Sequence, residues 1–266
     1  MGRGARVRAV KLAIAGKGGS GKTTIAGTLA RLAARRGVDV VAIDADLNPN
    51  LALTLGVEPG AVDRITPLPD DVAEHRKLDG AHVVELTRPV EDLVLEYGVD
   101  CPDKVRLLLM GRPHQAGTGC MCGNHATVRG VLNQLPTDGI LVVVDLEASP
   151  EHLTRSTPEG ADLLLIVAEA WFRSLETARR YAVLARDLGI GRVAVVAIKV
   201  RGDDVVNVVE AFCNRHGMEV LGAIPYDERL GDAERSGKAP IDHDPAGPAV
   251  VAIDRLVDSV LAPAPR

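Results

Sequence analysis

The chain has 266 residues, 46% of them hydrophobic, and a net charge of −5. That is enough apolar material for a large α/β core, and the negative balance provides no global polycation to hold nucleic acid. Aromatics make up only 2%, which leaves few stacking platforms for single strands, and the longest apolar runs are of strand length, well short of the roughly 20 residues of a membrane span.

Along the chain, apolar runs alternate with amphipathic helical stretches, the pattern of a mostly parallel sheet with helices on both faces. The opening MGRGARVRAVK is basic, but no apolar stretch with a cleavage site follows it. We therefore expect a cytoplasmic protein without a membrane partner. Its cysteines (Cys101, Cys120, Cys122 and Cys213) are then thiols or ligands rather than structural disulfides. The runs predict strands over Ala9–Ala15, Asp39–Asp44, His82–Leu86, Val105–Met110, Ile140–Asp145, Leu163–Val167, Val193–Ile198 and Val220–Ala223. Helices are predicted over Thr23–Arg36, Asn124–Gln134, Leu175–Leu188, Val205–His216 and Pro248–Leu261. The segment 56–80 is irregular and charged, and reads as a surface insertion or mobile connection. No repeat and no linker divides the chain, so a single domain over residues 1–266 is expected, with its core over 8–262.

The first strand leads into Gly16-Lys17-Gly18-Gly19-Ser20-Gly21-Lys22-Thr23-Thr24, which fits G-x-x-x-x-G-K-[ST], the phosphate-binding loop of nucleotide hydrolases. Successive backbone N–H groups around the glycines, with the N-terminus of the following helix, form a positive concavity for phosphates. Lys22 is placed to reach the β- and γ-phosphates, and the Thr23 hydroxyl to hold Mg²⁺. The second strand closes on Asp44 and Asp46, a D-x-D that would be a weak signal away from the phosphate loop. Leu141-Val142-Val143-Val144 closed by Asp145 is the Walker B pattern, with the carboxylate holding Mg²⁺ directly or through water. Between these, Gly117-Thr118-Gly119-Cys120-Met121-Cys122-Gly123 places two thiols one residue apart among glycines. Buried thiols or a local disulfide are one reading of that pair, and a metal site is the other. Two thiolates supply half of a four-coordinate shell.

The loop GKGGSGKTT resembles the deviant phosphate loop of one superfamily, which includes the nitrogenase iron protein, the septum-site and partition ATPases, and metal-centre maturation ATPases. The resemblance implies a single P-loop NTPase domain of the α/β class that hydrolyses ATP to ADP and phosphate with Mg²⁺. It implies that Lys17 crosses a two-fold interface to the partner's nucleotide, so that a homodimer closes on ATP. It implies that Asp46 positions the attacking water and that Asp44 supports the Mg²⁺ shell. The superfamily's base-reading Asn-Lys pair is Ile198-Lys199 here, so recognition of the base passes to backbone groups near Ile224-Pro225-Tyr226-Asp227, with Pro225 as the expected contact.

Together with the thiol pair and the run DLEASPEH after Asp145, the motifs resemble the carbon monoxide dehydrogenase accessory ATPases, over about residues 10 to 240. Ser149 stands where that pattern has glycine, and Gly123 where it has proline. A symmetric dimer would complete the shell of Cys120 and Cys122 with the same pair from the second chain. Soft sulfur ligands suit Zn²⁺, Cu(I) or Fe–S centres, and Ni²⁺ in a square plane. The expected function is a nucleotide-switched homodimer that binds Ni²⁺ or Zn²⁺ at its interface and delivers it to an apo-metalloenzyme client. His114 and His125 flank the thiols and are possible extra ligands, and His152 has no assigned role. The alternative is a partition or positioning ATPase that acts on DNA or a protein partner; a more distant one is a reductase with an Fe–S cluster.

Overall fold

Strand β1 (Val10–Gly16) is buried along its whole length, as an apolar run must be when helices cover both faces of a sheet. The computed structural model describes residues 10–46, 48–69, 71–78, 81–110, 122–136 and 139–262. In chain order, β1 is followed by α1 (Lys22–Arg35), β2 (Asp39–Ala45), α2 (Leu51–Thr54), α3 (Pro59–Val62) and a hairpin of β3 (Ala73–Leu78) and β4 (Ala81–Leu86). Then come α4 (Val90–Tyr97), β5 (Val99–Asp100), β6 (Arg106–Leu109), α5 (Cys122–Gln134), β7 (Ile140–Leu146) and α6 (Glu151–Thr154). The chain ends with β8 (Leu163–Ala168), α7 (Phe172–Asp187), β9 (Arg192–Val200), α8 (Asp203–Arg215), β10 (Glu219–Pro225), α9 (Glu228–Arg235), α10 (Pro240–His243) and α11 (Pro248–Leu261).

Eight strands form one sheet in the order β10-β9-β8-β1-β7-β2-β6-β5. Every neighbouring pair is parallel except β5 with β6. Alternation along the strands divides the core between the two faces. Ala13 and Ala15 face Val128, Leu132, Leu175 and Val209 of helices α5, α7 and α8, while Leu12 and Ile14 face Ile25, Leu29, Ile253 and Val257 of helices α1 and α11. Each fully buried Leu or Ile contributes roughly 1.5–3 kcal/mol, so the central strands are a rigid base for the loops at their carboxyl ends. Among the described residues no helix is long and apolar enough to cross a membrane.

Two readings of the sequence are corrected. The strand predicted over His82–Leu86 forms, but as half of an antiparallel hairpin outside the main sheet. The hairpin lies against α5: a Cβ on Gly130 would stand only 2.7 Å from Leu86 Cδ2, so the glycine lets the Leu86 side chain rest on the helix. The segment 56–80 is not wholly irregular, since it contains α3 and β3. Helix α4 was also not expected, although Pro89 before it and Glu91 and Asp92 in its first turn are start signals.

Candidate functional site

The connections of the sheet reverse direction beside β1, and ligands of such sheets sit beyond the carboxyl ends of the strands at that point. The phosphate loop leaves β1 there. Gly16 is pressed against β8, where a Cβ would stand 2.6 Å from the Val167 carbonyl oxygen. Gly21 has φ +88°, in the left-handed region, and a Cβ on it would meet Ile198 Cδ1 at 2.7 Å. Both positions therefore require glycine. Lys22 starts α1 and is buried, whereas Lys17, Gly18 and Gly19 are exposed at the mouth of the loop. Ser20 is buried with its hydroxyl unpartnered among the described residues. Thr24 follows Thr23 into the first turn of α1.

Strand pairing brings the acids together. Asp44 and Asp145 lie opposite each other in the β2–β7 register and are 0% and 1% exposed. Asp44 accepts hydrogen bonds from the Leu51 and Asp46 N–H groups, at 2.9 and 3.1 Å. The Thr23 hydroxyl lies close enough to Asp145 to favour its ionised form, and Asp145 Oδ1 has no partner among the described residues. Burial raises both carboxyls well above the usual range, and each acid near Asp145 raises it further. Asp46, at the open end, accepts from the Asn48 N–H at 2.9 Å. An unpartnered buried carboxylate oxygen beside a threonine hydroxyl is a hard-oxygen set that fits Mg²⁺. Lys22, Thr23, Asp44, Asp46 and Asp145 thus meet at one point.

Three features of this edge were not read from the sequence. Lys199 lies at a bulge where the β9–β10 register skips a residue, with φ +57°. Its Nζ donates to the Gly19 carbonyl at 2.9 Å and to Glu169 at 3.0 Å, tying the phosphate loop to β8 and β9. Arg201 stacks 3.6 Å above the Tyr226 ring, just past Pro225 at the end of β10. After β7, His152 Nε2 lies 3.3 Å from Glu147 Oε2, and the His152 ring meets His125 edge to face with centroids 4.6 Å apart. The run DLEASPEH contains both Glu147 and His152, but nothing in it states their contact or that with His125. Ser149 does not take the left-handed backbone that a glycine there would allow, and its hydroxyl accepts from the Glu151 N–H at 3.1 Å.

Of the sequence's thiol pair and its flanking histidines, only part lies within the described residues. Cys120 and His114 lie outside the described residues, and Cys122 is described only as the backbone of the first residue of α5. Cys101 and Cys213 are buried free thiols far from this edge, and burial pushes them up to about 12 and about 11. Such thiols are poor metal ligands at neutral pH.

Comparison with known proteins gives a consistent picture. Residues 11–241 match the model of the CobQ/CobB/MinD/ParA nucleotide binding domain. An uncharacterized ATP-binding protein of Methanocaldococcus jannaschii is 40% identical over 245 residues, covering 88% of this chain and 92% of that one. The carbon monoxide dehydrogenase accessory protein CooC of Rhodospirillum rubrum is 38% identical over 244 residues, covering 89% of this chain and 91% of that one. The solved structure of the septum site-determining protein MinD of Pyrococcus horikoshii, complexed with Mg-ADP, superposes with a TM-score of 0.71 at 17% identity, covering 95% of this chain and 96% of that one. At that identity the likeness concerns the fold.

Proposed function

The chain belongs to the CobQ/CobB/MinD/ParA nucleotide-binding family of ATPases, and from that premise we propose that it is a metal-delivery factor: a homodimer, closed by ATP, that carries a transition-metal ion to an apo-enzyme such as carbon monoxide dehydrogenase. The observation that carries this reading is the 38% identity with the accessory protein CooC over 89% of the chain. The placement of α5 supports it. That helix starts at Cys122, and its first turns pack through His125 against the segment that follows Asp145.

In this reading Lys22 holds the β- and γ-phosphates from beneath the loop, and backbone groups from Gly16 to Thr24 line the rest. Thr23 and the free oxygen of Asp145 hold Mg²⁺, with Asp44 behind them. The cation supplies charge neutralisation on the phosphate oxygens. Asp46 orients the attacking water, because phosphoryl transfer needs in-line positioning more than covalent help from the protein. Lys17, exposed and without a role in its own loop, reaches the partner's nucleotide. Trp171 and Phe172 stand 72% and 74% exposed just past the end of β8, at the same edge as the phosphate loop. An exposed aromatic pair of this kind suits burial by a second copy.

The cargo ion, Ni²⁺ or Zn²⁺, is held by Cys120 and Cys122 of both chains. Elemental analysis with solution mass, with and without Mg-ATP, tests this. The expected result is one ion per dimer, lost in the C120A/C122A double variant while ATP affinity stays within about twofold. Unchanged metal stoichiometry in that variant, or a monomer under every nucleotide condition, sinks the proposal. ATP-dependent, salt-sensitive DNA binding that survives loss of the thiols would assign the positioning role instead.

A further inference from the structure

The segment from Glu147 to Thr157 joins two parts of the molecule that the nucleotide chemistry alone does not require to touch. On one side it meets the phosphate loop, where a Cβ on Gly18 would lie 3.6 Å from Ala148 Cβ. The Glu147 carboxyl is raised by its own burial and then by the nearby Asp46, so it faces the same edge. On the other side it meets α5. The His152 ring is 1% exposed and its edge-to-face partner His125 is 6% exposed. His125 Nδ1 is 2.9 Å from the hydroxyl of Thr157, itself fully buried. The Thr157 N–H returns to the His152 carbonyl at 2.9 Å, and Ser156 takes the left-handed φ of +58° that closes this turn.

The protonation of His152 follows from its neighbours. Nε2 faces a carboxylate, so it carries the proton and donates. Nδ1 is buried with no partner among the described residues, so it is bare: an N–H there would be an uncompensated donor. Burial holds both imidazoles at about 4, well below their ordinary range. The joint is therefore built of hydrogen bonds made by neutral imidazoles and of ring packing, a short continuous path of packed side chains between two secondary elements.

We propose that His152, backed by His125 and Thr157, is a positioning residue that holds Glu147 toward the phosphate loop, and that this row of side chains couples the nucleotide site to helix α5. The proposal rests on the ATPase half of the reading above and not on the identity of any cargo. Two variants separate its parts. H152F keeps the ring and its packing but has no donor, while H152Q keeps a neutral N–H donor. The H152F variant should show kcat lowered about tenfold with KM for ATP within twofold, and H152Q should retain at least half of wild-type kcat. In backbone amide hydrogen exchange on the full chain, Mg-ATP should change protection across residues 124–134 in the wild type, and that response should vanish in H152F while ATP remains bound.

An H152F kcat equal to wild type overturns the proposal. So does an H152Q loss as deep as that of H152F when both variants melt cooperatively, because the ring then serves packing alone. An α5 response that persists in H152F, or is missing from the wild type, overturns the coupling. No transition metal or client enters these measurements, so failure of the metal-delivery reading leaves them intact. A wild-type chain that neither binds nor hydrolyses ATP would overturn both.

Discussion

The end of strand β7 separates two buried polar clusters, and burial treats them in opposite ways. Toward β2, Asp44 and Asp145 are pushed up and toward the protonated state by desolvation, and Asp145 Oδ1 has no partner among the described residues. Toward α5, His125 and His152 are pushed down and toward the neutral state; His125 Nδ1 pairs with the Thr157 hydroxyl and His152 Nε2 with Glu147, while His152 Nδ1 is bare among the described residues. Desolvation disfavours the charged form in both places. The difference lies in what resolves it. The carboxylates carry more negative charge than Lys22 offsets, a deficit that a bound cation can balance, so the fold carries an unfavourable site until the cation arrives. The histidines escape the cost by staying neutral and need no counter-charge. A buried cluster short of counter-charge marks where a ligand goes, and a neutral one marks a joint inside the protein.

The largest expected effect is at the carboxylate cluster. A carboxylate raised by folding contributes stability that is fully present below its unfolded value and is lost as pH rises through its folded value. At neutral pH the ligand-free chain therefore bears the cost of Asp145. Asp145→Asn should lower kcat about 10²–10³-fold, since a cation-holding carboxylate supplies several kcal/mol of transition-state stabilisation. It should also raise the melting temperature of the ligand-free chain, by about 2–4 °C for each kcal/mol relieved. Calorimetry beside steady-state kinetics checks both signs. A variant that is inactive and less stable than wild type would break the comparison, because Asp145 would then be satisfied in the ligand-free chain.

A smaller effect concerns pH and the nucleotide. Since protons compete with the cation for Asp145, Mg-ATP binding should weaken as pH falls below the raised carboxyl value, by at most tenfold for each pH unit. The measurement is titration calorimetry with Mg-ATP at several pH values, and the wild-type dependence should flatten in the Asp145→Asn protein. A dependence of equal slope in that variant would move the titrating group elsewhere.

How much of this was legible in the sequence follows from the range over which each feature is encoded. The phosphate loop was legible because a strand run, fixed glycines and a helix start are neighbours in the chain. The parallel sheet was legible because Leu141-Val142-Val143-Val144 and its counterparts are continuous apolar runs. The D-x-D and Walker B acids were each recognisable, but their meeting is set by register, Asp44 opposite Asp145, and no local pattern states register between strands so far apart. The contact of His125 with His152 is of the same kind, as it joins a helix to a later turn. Lys199 reaches Gly19 only because a bulge turns it there. The hairpin was misread because its first strand, AEHRKL, is charged, and its partner HVVEL alone looks like a strand of the main sheet.

The smallest expected effect belongs to the neutral cluster and tests how it answers a proton. A histidine whose value is depressed by folding contributes stability that is present above its unfolded value, near 6.5, and is lost as pH falls through its folded value of about 4. The wild-type chain should therefore lose stability steadily between about pH 6.5 and 4, as each buried imidazole takes up a proton that has no acceptor waiting. The buried acids act in the opposite sense over part of this range, because protonation relieves them. Asp145→Asn is thus the right background for the measurement, as it removes one opposing group. In that background, urea midpoints taken across the window should fall with decreasing pH. Adding His152→Phe should make the fall shallower by removing one of the two titrating rings. If the slope is the same with and without the ring at 152, His152 already finds an acceptor when protonated, and the tautomer assigned from its bare Nδ1 is wrong.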